Sequence, residues 1–447
     1  MIDPELAQHA VRLALERGAT DAECTLAEGD EFSAQVRMRS LEKLIDAGSR
    51  SAGLRILIGQ RVGSSYTSDL SSEGIRKMVE SALAVAEIAT DDPHAGLPEA
   101  SDLGAISGDL ELYSDDLEGI DTAARIREAL ETEEAAFAAD PRITNSDGAS
   151  FGAVTGARVF ANSRGFAGSY RVTSCSLSTT PVARQGDSME RDYWFSSARS
   201  HAKLESPAAI GRRAAERTVR RLGSRKVPTQ KVPVIFDPMP ARSLIANIFD
   251  AVEGDAIYRH ASFLAGKLGE RVASEHVTII DDGTIPGLFG TSPFDDEGVP
   301  SRRTVVIDRG VFQSYLLNSY TARKLGLRTT GNAARGITGN AGVGHGNFYL
   351  ERGTRSPEEL IRGIRKGLYV TELIGQGVNI VTGDYSRGAA GLWIENGEFA
   401  YPVSEITIAS TLPRMLMDLE AAGSDLEFRG SVASPTLLIG EMTVSGQ

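Results

Sequence analysis

Apolar and polar positions alternate or recur along most of this 447-residue chain, and the period changes from segment to segment. Pro4 just inside a start, then Leu6, Ala10, Leu13 and Leu15 at near-helical spacing, predicts a first helix ended by Gly18. Residues 21–40, DAECTLAEGDEFSAQVRMRS, alternate around Gly29-Asp30 and predict a hairpin turning there. Residues 51–69 predict a second hairpin around Gly59-Gln60. A helix follows, capped by Ser71 or Ser72, with Ile75, Met78, Val79 and Leu83 on one face. Helix, strands and helix in that order predict an α+β fold rather than strict βαβ alternation.

Residues 90–102 are polar and rich in Pro and Gly, which marks a linker. A helix is expected over 122–139. Strand-like pieces then run from Ile143 to Trp194, with Gly152, Gly156, Gly165 and Gly168 among β-formers, as in an antiparallel meander with turns and bulges. A helix over 207–222 closes this region. The basic, aperiodic stretch 223–233 is the clearest boundary. Residues 232–238, VPVIFDP, read as a short buried strand. Beyond it the chain is dominated by glycines and short strands, with helices expected near Ser356 and in STLPRMLMDLEAAG. The division is therefore an N-terminal α+β part (1–90), a middle α+β part (103–222) and a larger, mostly antiparallel β part (230–447).

One segment, 243–260, SLIANIFDAVEGDAIYRH, carries the candidate chemistry. Leu244, Ile245, Ile248, Phe249 and Val252 form one broad apolar stripe, so it reads as a single amphipathic helix. Asp250, Glu253 and Asp255 then fall toward its C-terminal end, where the helix dipole disfavours acids. They are either used there or form a solvated edge.

Bulk properties narrow the partners. A 41% hydrophobic content over this length supports more than one core. The net charge of −13 argues against nucleic acid and anionic membranes. The densest basic stretch, 212–226, reads as the solvated face of a helix. Cys24 and Cys175 lack motif spacing and read as small buried apolar residues. The start has no basic region before an apolar core, and no apolar run reaches the ~18 residues that span a bilayer. The expected location is the cytoplasm.

None of the six histidines forms an HxxxH or HExxH pattern. His260 reaches Asp250 only through a turn. His345 lies in a Gly-rich loop, NAGVGHGNFYL, which reads either as a substrate-facing loop with free N–H groups or as a surface turn. Asp295, Asp296 and Glu297 suggest a divalent-ion cluster, but a turn before Gly298 and Pro300, with Glu297 paired to Arg302 or Arg303, is the simpler reading. A phosphate loop and a G-x-S-x-G nucleophile elbow are both missing.

Several short pieces, in order, carry a family resemblance: Glu253-Gly254-Asp255, Asp282-Gly283-Thr284, Asp295-Asp296-Glu297-Gly298 with Pro300 and Arg303-Thr304, and Thr321-Ala322-Arg323-Lys324-Leu325-Gly326. Further on come Gly331-Asn332-Ala333-Ala334-Arg335, Thr382-Gly383-Asp384-Tyr385-Ser386, Gly391-Leu392-Trp393-Ile394-Glu395-Asn396-Gly397 and Tyr401-Pro402-Val403. The chain resembles the TldD/PmbA family of zinc-peptidase-like proteins, the gyrase modulators of older usage. The resemblance covers the C-terminal half closely and the N-terminal half in layout.

In that family the peptidase branch carries His-Glu-x-x-x-His ahead of Glu-Gly-Asp, with a Cys ligand near the C-terminus. Three protein ligands leave zinc an open position for a water of pKa near ~7, and the Glu takes its proton. Counting back from Glu253, the resemblance puts Ile245 and Asp250 at the two His positions and Ala246 at the general-base position. The last residues contain no Cys. The chain thus resembles the PmbA/TldE branch. That implies no metal in this chain, zinc in a TldD-like partner subunit, an unfolded peptide substrate, and a homodimer when alone. Candidate peptide contacts are Glu253, Asp255, His260, His345 and Asn347. Two rivals remain: an autonomous hydrolase with a divalent ion around 295–297, and a regulatory protein of the gyrase-modulator type.

Overall fold

The computed structural model describes residues 3–446. Its N-terminal half holds α1 (Pro4–Glu16), β1 (Asp21–Arg37), β2 (Ser40–Ile58), β3 (Arg61–Thr67), α2 (Ser72–Ile88), α3 (Thr122–Ala139), β4 (Ile143–Asn162), β5 (Ala167–Gln185), β6 (Ser188–Arg191), β7 (Trp194–Ala198) and α4 (Pro207–Val219). All the strands join one seven-stranded antiparallel sheet, ordered β3-β2-β1-β4-β5-β6 with β7 beside β5. The sheet therefore runs through both the first and the middle segments of the chain. Buried side chains of α1 and α2 pack with Leu26, Leu54 and Ile56 of the sheet. Residues of α3 and α4 pack with Phe32, Phe151, Leu177 and Trp194. Cys24 and Cys175 are buried free thiols in these strands, pushed up to about 12 by burial.

Two local readings need correction. Gly29-Asp30 is no turn, because β1 continues for 17 residues and pairs along this stretch with both β2 and β4. Continuous pairing on both edges outweighs a two-residue turn signal. The chain reverses at Met38-Arg39, both at positive φ (49° and 64°). Their backbone N–H groups donate to the buried Glu133 of α3 at 3.0 and 2.7 Å. α1 forms where its spacing predicts, with Ala7, Ala10, Val11 and Ala14 as its buried face and Leu15 exposed. Small residues let the helix sit close to the sheet. The basic stretch 212–226 is not simply a solvated face. Arg217 is 4% exposed and lies 3.3 Å from Asp192, and Arg221 lies 2.6 Å from Glu372.

The C-terminal half begins with β8 (Gln230–Phe236), α5 (Pro238–Val252), α6 (Gly254–Tyr258), β9 (Ile279–Asp282), β10 (Arg303–Asp308), β11 (Val311–Phe312) and α7 (Ser319–Leu325). It continues with β12 (Ala333–Ala334), β13 (Gly342–Val343), β14 (Asn347–Leu350), α8 (Pro357–Arg362), β15 (Lys366–Ile374) and β16 (Asp384–Glu395). It ends with β17 (Glu398–Thr411), α9 (Leu412–Met417), β18 (Leu419–Ala422), β19 (Val432–Ala433) and β20 (Leu437–Ser445). One six-stranded sheet is ordered β17-β16-β15-β8-β20-β18, and a five-stranded sheet β11-β10-β9-β14-β19. Pairing is antiparallel except for β8 with β15 and β14 with β19. The expected α+β class, with a mostly antiparallel C-terminal half, is what forms.

Helix α5 contacts strands of both sheets, β8 and β15 in one and β14 and β19 in the other. Leu244, Ile245, Ile248, Ala251 and Val252 enter the largest core, with Phe236, Phe348 and Leu437. Among the described residues, no helix is long and apolar enough to cross a membrane.

Candidate functional site

The segment 243–260 is not one helix. α5 starts earlier, at Pro238, with the Asp237 carboxylate accepting from the Met239 N–H at 3.1 Å. It stops at Val252. Glu253 is extended (φ −70°, ψ 144°) and caps α6, its carboxylate accepting from the Asp255 and Ala256 N–H groups at 3.3 and 3.1 Å. Glu253 and Asp255 therefore stand at the N-terminus of a short helix, where acids are favoured. That reverses their reading as acids at a helix C-terminus.

Gly254 has a separate reason. A Cβ there would lie 2.5 Å from Thr321 Oγ1 and 2.9 Å from Leu317 Cδ2. Its N–H donates to the Leu316 carbonyl at 2.9 Å. The Glu-Gly-Asp triplet is thus a helix break docked against α7.

Ile245 is 1% exposed and sits in the core; Ala246 is half-buried; Asp250 is exposed. Burial of its surroundings raises the Asp250 carboxyl, opposed by Asn247 and His345. His345 packs edge-on against Phe249, ring centroids 4.6 Å apart, and its Nδ1 lies 2.8 Å from the Gly346 carbonyl. The structure thus brings Asp250 and His345 together through α5. His260 is exposed just after α6, at φ 53°.

Neither Ile245 nor Ala246 offers a donor atom, and Asp250 alone is too few for zinc. Among the described residues, no three His, Cys, Asp or Glu side chains converge to hold a metal ion. The donor set does not fit the zinc site of a metallopeptidase.

A cavity of about 480 Å³ lies where β1, β4 and β5 face the loops 283–302 and 331–346. His345 lines it. The Gly-rich loop is not a loose surface turn. A Cβ on Gly290 would lie 2.2 Å from the Gly346 carbonyl carbon, so two backbones touch there. Asn347 is wholly buried. It accepts from the Gly290 N–H at 2.9 Å and donates to the Asp282 carbonyl and Thr291 Oγ1 at 2.7 and 2.9 Å. Both Nδ2 hydrogens are spent on the wall and the side chain is out of reach of the cavity, which corrects its reading as a peptide contact.

The 295–297 acids also differ from the sequence reading. Asp295 does build the turn, accepting from the Glu297 and Val299 N–H groups at 2.9 Å each. Its other oxygen accepts from the Ala333 N–H at 2.9 Å. Burial, then the neighbouring Glu297, pushes Asp295 up to about 8. Glu297 does not pair with Arg302 or Arg303; it accepts from the Ser319 N–H at 2.9 Å, at the start of α7. Arg303 lies nearer Asp282 and Glu351. Asp296 pairs with Arg158 of β4 at 2.8 Å.

The sequence reading did not single out Arg158, Tyr170, Arg199 or Asp281, which all line this cavity. The only sequence signal was arginine and tyrosine inside alternating strands. Asp281 accepts from Asn332 Nδ2 and the Gly346 N–H, both at 2.7 Å, and burial pushes its carboxyl up to about 7. Asp255 lines a second, smaller cavity of about 240 Å³ with Asp92, Glu297 and Tyr320.

A long-strand sheet facing a β-rich half across a polar cavity, with a broken helix α5–α6 beside it, defines a metallopeptidase-like class once the relatives are considered. Three descriptions match in succession: PmbA/TldA metallopeptidase domain 1 over 22–86, the central domain over 115–222 and the C-terminal domain over 229–446. The chain is 38% identical to a metalloprotease PmbA homolog of Haemophilus influenzae, covering 98% of this chain and 94% of that one. It is 37% identical to the metalloprotease PmbA of Escherichia coli O157:H7, over 99% of this chain and 97% of that one. A Bacteroides thetaiotaomicron structure, described as a candidate modulator of DNA gyrase, superposes with TM-score 0.92 at 29% identity, covering 99% and 98% of the two chains. TldE from Thermococcus kodakarensis shares the fold at TM-score 0.89 and 22% identity, covering 99% of this chain and all of that one (100%). The chain belongs to the PmbA/TldD family, and its relatives of matching length fit the PmbA/TldE branch.

Proposed function

We propose that this chain is the zinc-free subunit of a PmbA/TldD-type metallopeptidase, joined to a zinc-bearing TldD-like subunit. The observation that carries this reading is the chemistry of α5: Ile245 buried in the core, Ala246 beside it and Asp250 alone at the third position. A helix packed this way supports a chamber wall and cannot activate water. The three segments 1–90, 103–222 and 230–447 would act as one subunit, with His345 on the peptide side and Glu253 and Asp255 holding the helix break. His260 is a candidate contact at the exposed end of α6. The substrate would be an unfolded peptide held in extended form by main-chain pairing. In the absence of the partner, the subunit would form a homodimer.

The test is reconstitution. The chain and a TldD-like partner are purified separately, and cleavage of an unfolded peptide is followed with each omitted in turn. The expected result is cleavage only with both present. Full cleavage by the partner alone, unchanged when this chain is added, would remove the proposed role.

A further inference from the structure

We propose that the 480 Å³ cavity between β5 and the loops 283–302 and 331–346 is a carboxylate-binding subsite, with Arg199 in its wall and Tyr170 and Arg302 as further donors. Arg199 is 8% exposed. Its Nη1 donates to the Thr173 carbonyl at 3.2 Å, and its Nη2 to the Leu288 and Phe289 carbonyls at 3.2 and 3.1 Å. Its Nε is buried without a partner. Among the described residues no carboxylate stands within ion-pair distance of it. A buried guanidinium held by neutral carbonyls and the face of Phe289, 5.2 Å from its centroid, is a charge without its counter-charge, and desolvation works against its charged form. An anion in the adjoining cavity would relieve it.

The rest of the wall agrees. Tyr170 makes no hydrogen bond to another described residue. Burial raises its phenol, so the hydroxyl stays a donor. Arg302 is exposed on the same wall and lacks an ion pair among the described residues. The acids present are already occupied. Asp296 is neutralised by Arg158, Asp281 accepts two hydrogen bonds and Asp295 three. Burial raises both Asp281 and Asp295, which lessens their negative charge near neutral pH. Glu28 also lines the wall and has an interaction of its own. Most N–H groups of Arg199 are already engaged, so the site suits a singly charged, planar carboxylate rather than a phosphate that needs many donors. Phe289 and Phe294 offer apolar surface beside it.

Only the choice of a peptide as the bearer of that carboxylate rests on the peptidase reading. It would be either the chain end or an acidic side chain. Titration calorimetry on the full chain separates the two, using N-acetyl-trialanine, its C-terminal amide, and N-acetyl-Ala-Glu-Ala amide. At least one free-carboxylate probe should bind at one site, about tenfold more tightly than trialanine amide. The winning probe identifies the source. Arg199→Gln should erase the preference. Because Arg199 also holds the 288–289 carbonyls, Tyr170→Phe and Arg302→Gln serve as second variants; each should weaken the carboxylate probe several-fold at unchanged melting temperature and leave the amide unaffected. Equal affinity for acid and amide, no binding by either carboxylate probe, or carboxylate binding indifferent to Tyr170→Phe and Arg302→Gln, would each overturn the proposal. No partner is present in this titration. Loss of the carboxylate preference beside intact partner-dependent cleavage would sink this inference alone, and the reverse pattern the subunit role alone.

Discussion

At the level of single residues, the Glu253-Gly254-Asp255 triplet is explained by contact and capping. Gly254 has no room for a side chain against Thr321. Gly254→Ala should cost about 1–3 kcal/mol of stability through overpacking, read as a shift in urea midpoint. An unchanged midpoint would show that α7 yields freely. Asp281 gives a pH signature. Its folded value of about 7 exceeds the ordinary 3.8. The folded chain thus keeps a proton that the unfolded chain releases, and stability falls as pH rises between those values, at up to about 1.4 kcal/mol per unit. Above the folded value the loss is complete. Asp281→Asn should flatten this fall, measured as the difference in urea midpoint between about pH 5 and about pH 8. The same slope in both proteins would contradict the assignment.

At the level of elements, the sequence pattern located most helices and both faces of many strands, because burial repeats with the period of the element. α3 begins at Thr122 and ends at Ala139 as its pattern predicts, and α2 is capped by Ser71. The pattern failed where a non-local partner decided. Gly29 is carried through β1 by pairing on both edges, and the turn at Met38-Arg39 is held by Glu133 from α3. The break at Glu253 was hidden because apolar spacing runs through it, while the cause lies in α7. Glu133→Gln should keep the turn's shape but weaken the two N–H bonds to it, costing about 1–2 kcal/mol, with faster amide exchange at Met38 and Arg39. Unaltered exchange there would mean that the turn holds itself.

Across the whole molecule, a buried charge network ties the two halves. Arg335 of the 331–346 loop and Arg55 of β2 both donate to Glu23 of β1, Arg55 at 3.0 Å. Burial opposes the Glu23 charge, but the two arginines outweigh it and hold the carboxyl below its ordinary value. Its contribution is thus present above the ordinary carboxylate range and is lost as pH falls through the lowered value. Arg335→Leu should cost about 1.5–3 kcal/mol, because it leaves Arg55 alone to offset the buried Glu23 carboxylate. This network was not legible in the sequence: Glu23 and Arg335 stand 312 residues apart. The candidate site was legible only in part. The vacant positions on α5 could be counted from the triplet, whereas the cavity depends on how the long sheet meets distant loops.

The central claim is that this chain does not hold the catalytic zinc. Zinc content by mass spectrometry of the purified chain, with peptidase activity of the same sample, tests it most directly. The expected result is zinc well below one atom per chain and no cleavage by the chain alone. One zinc per chain, together with peptide cleavage abolished by a chelator and restored by zinc, would contradict it.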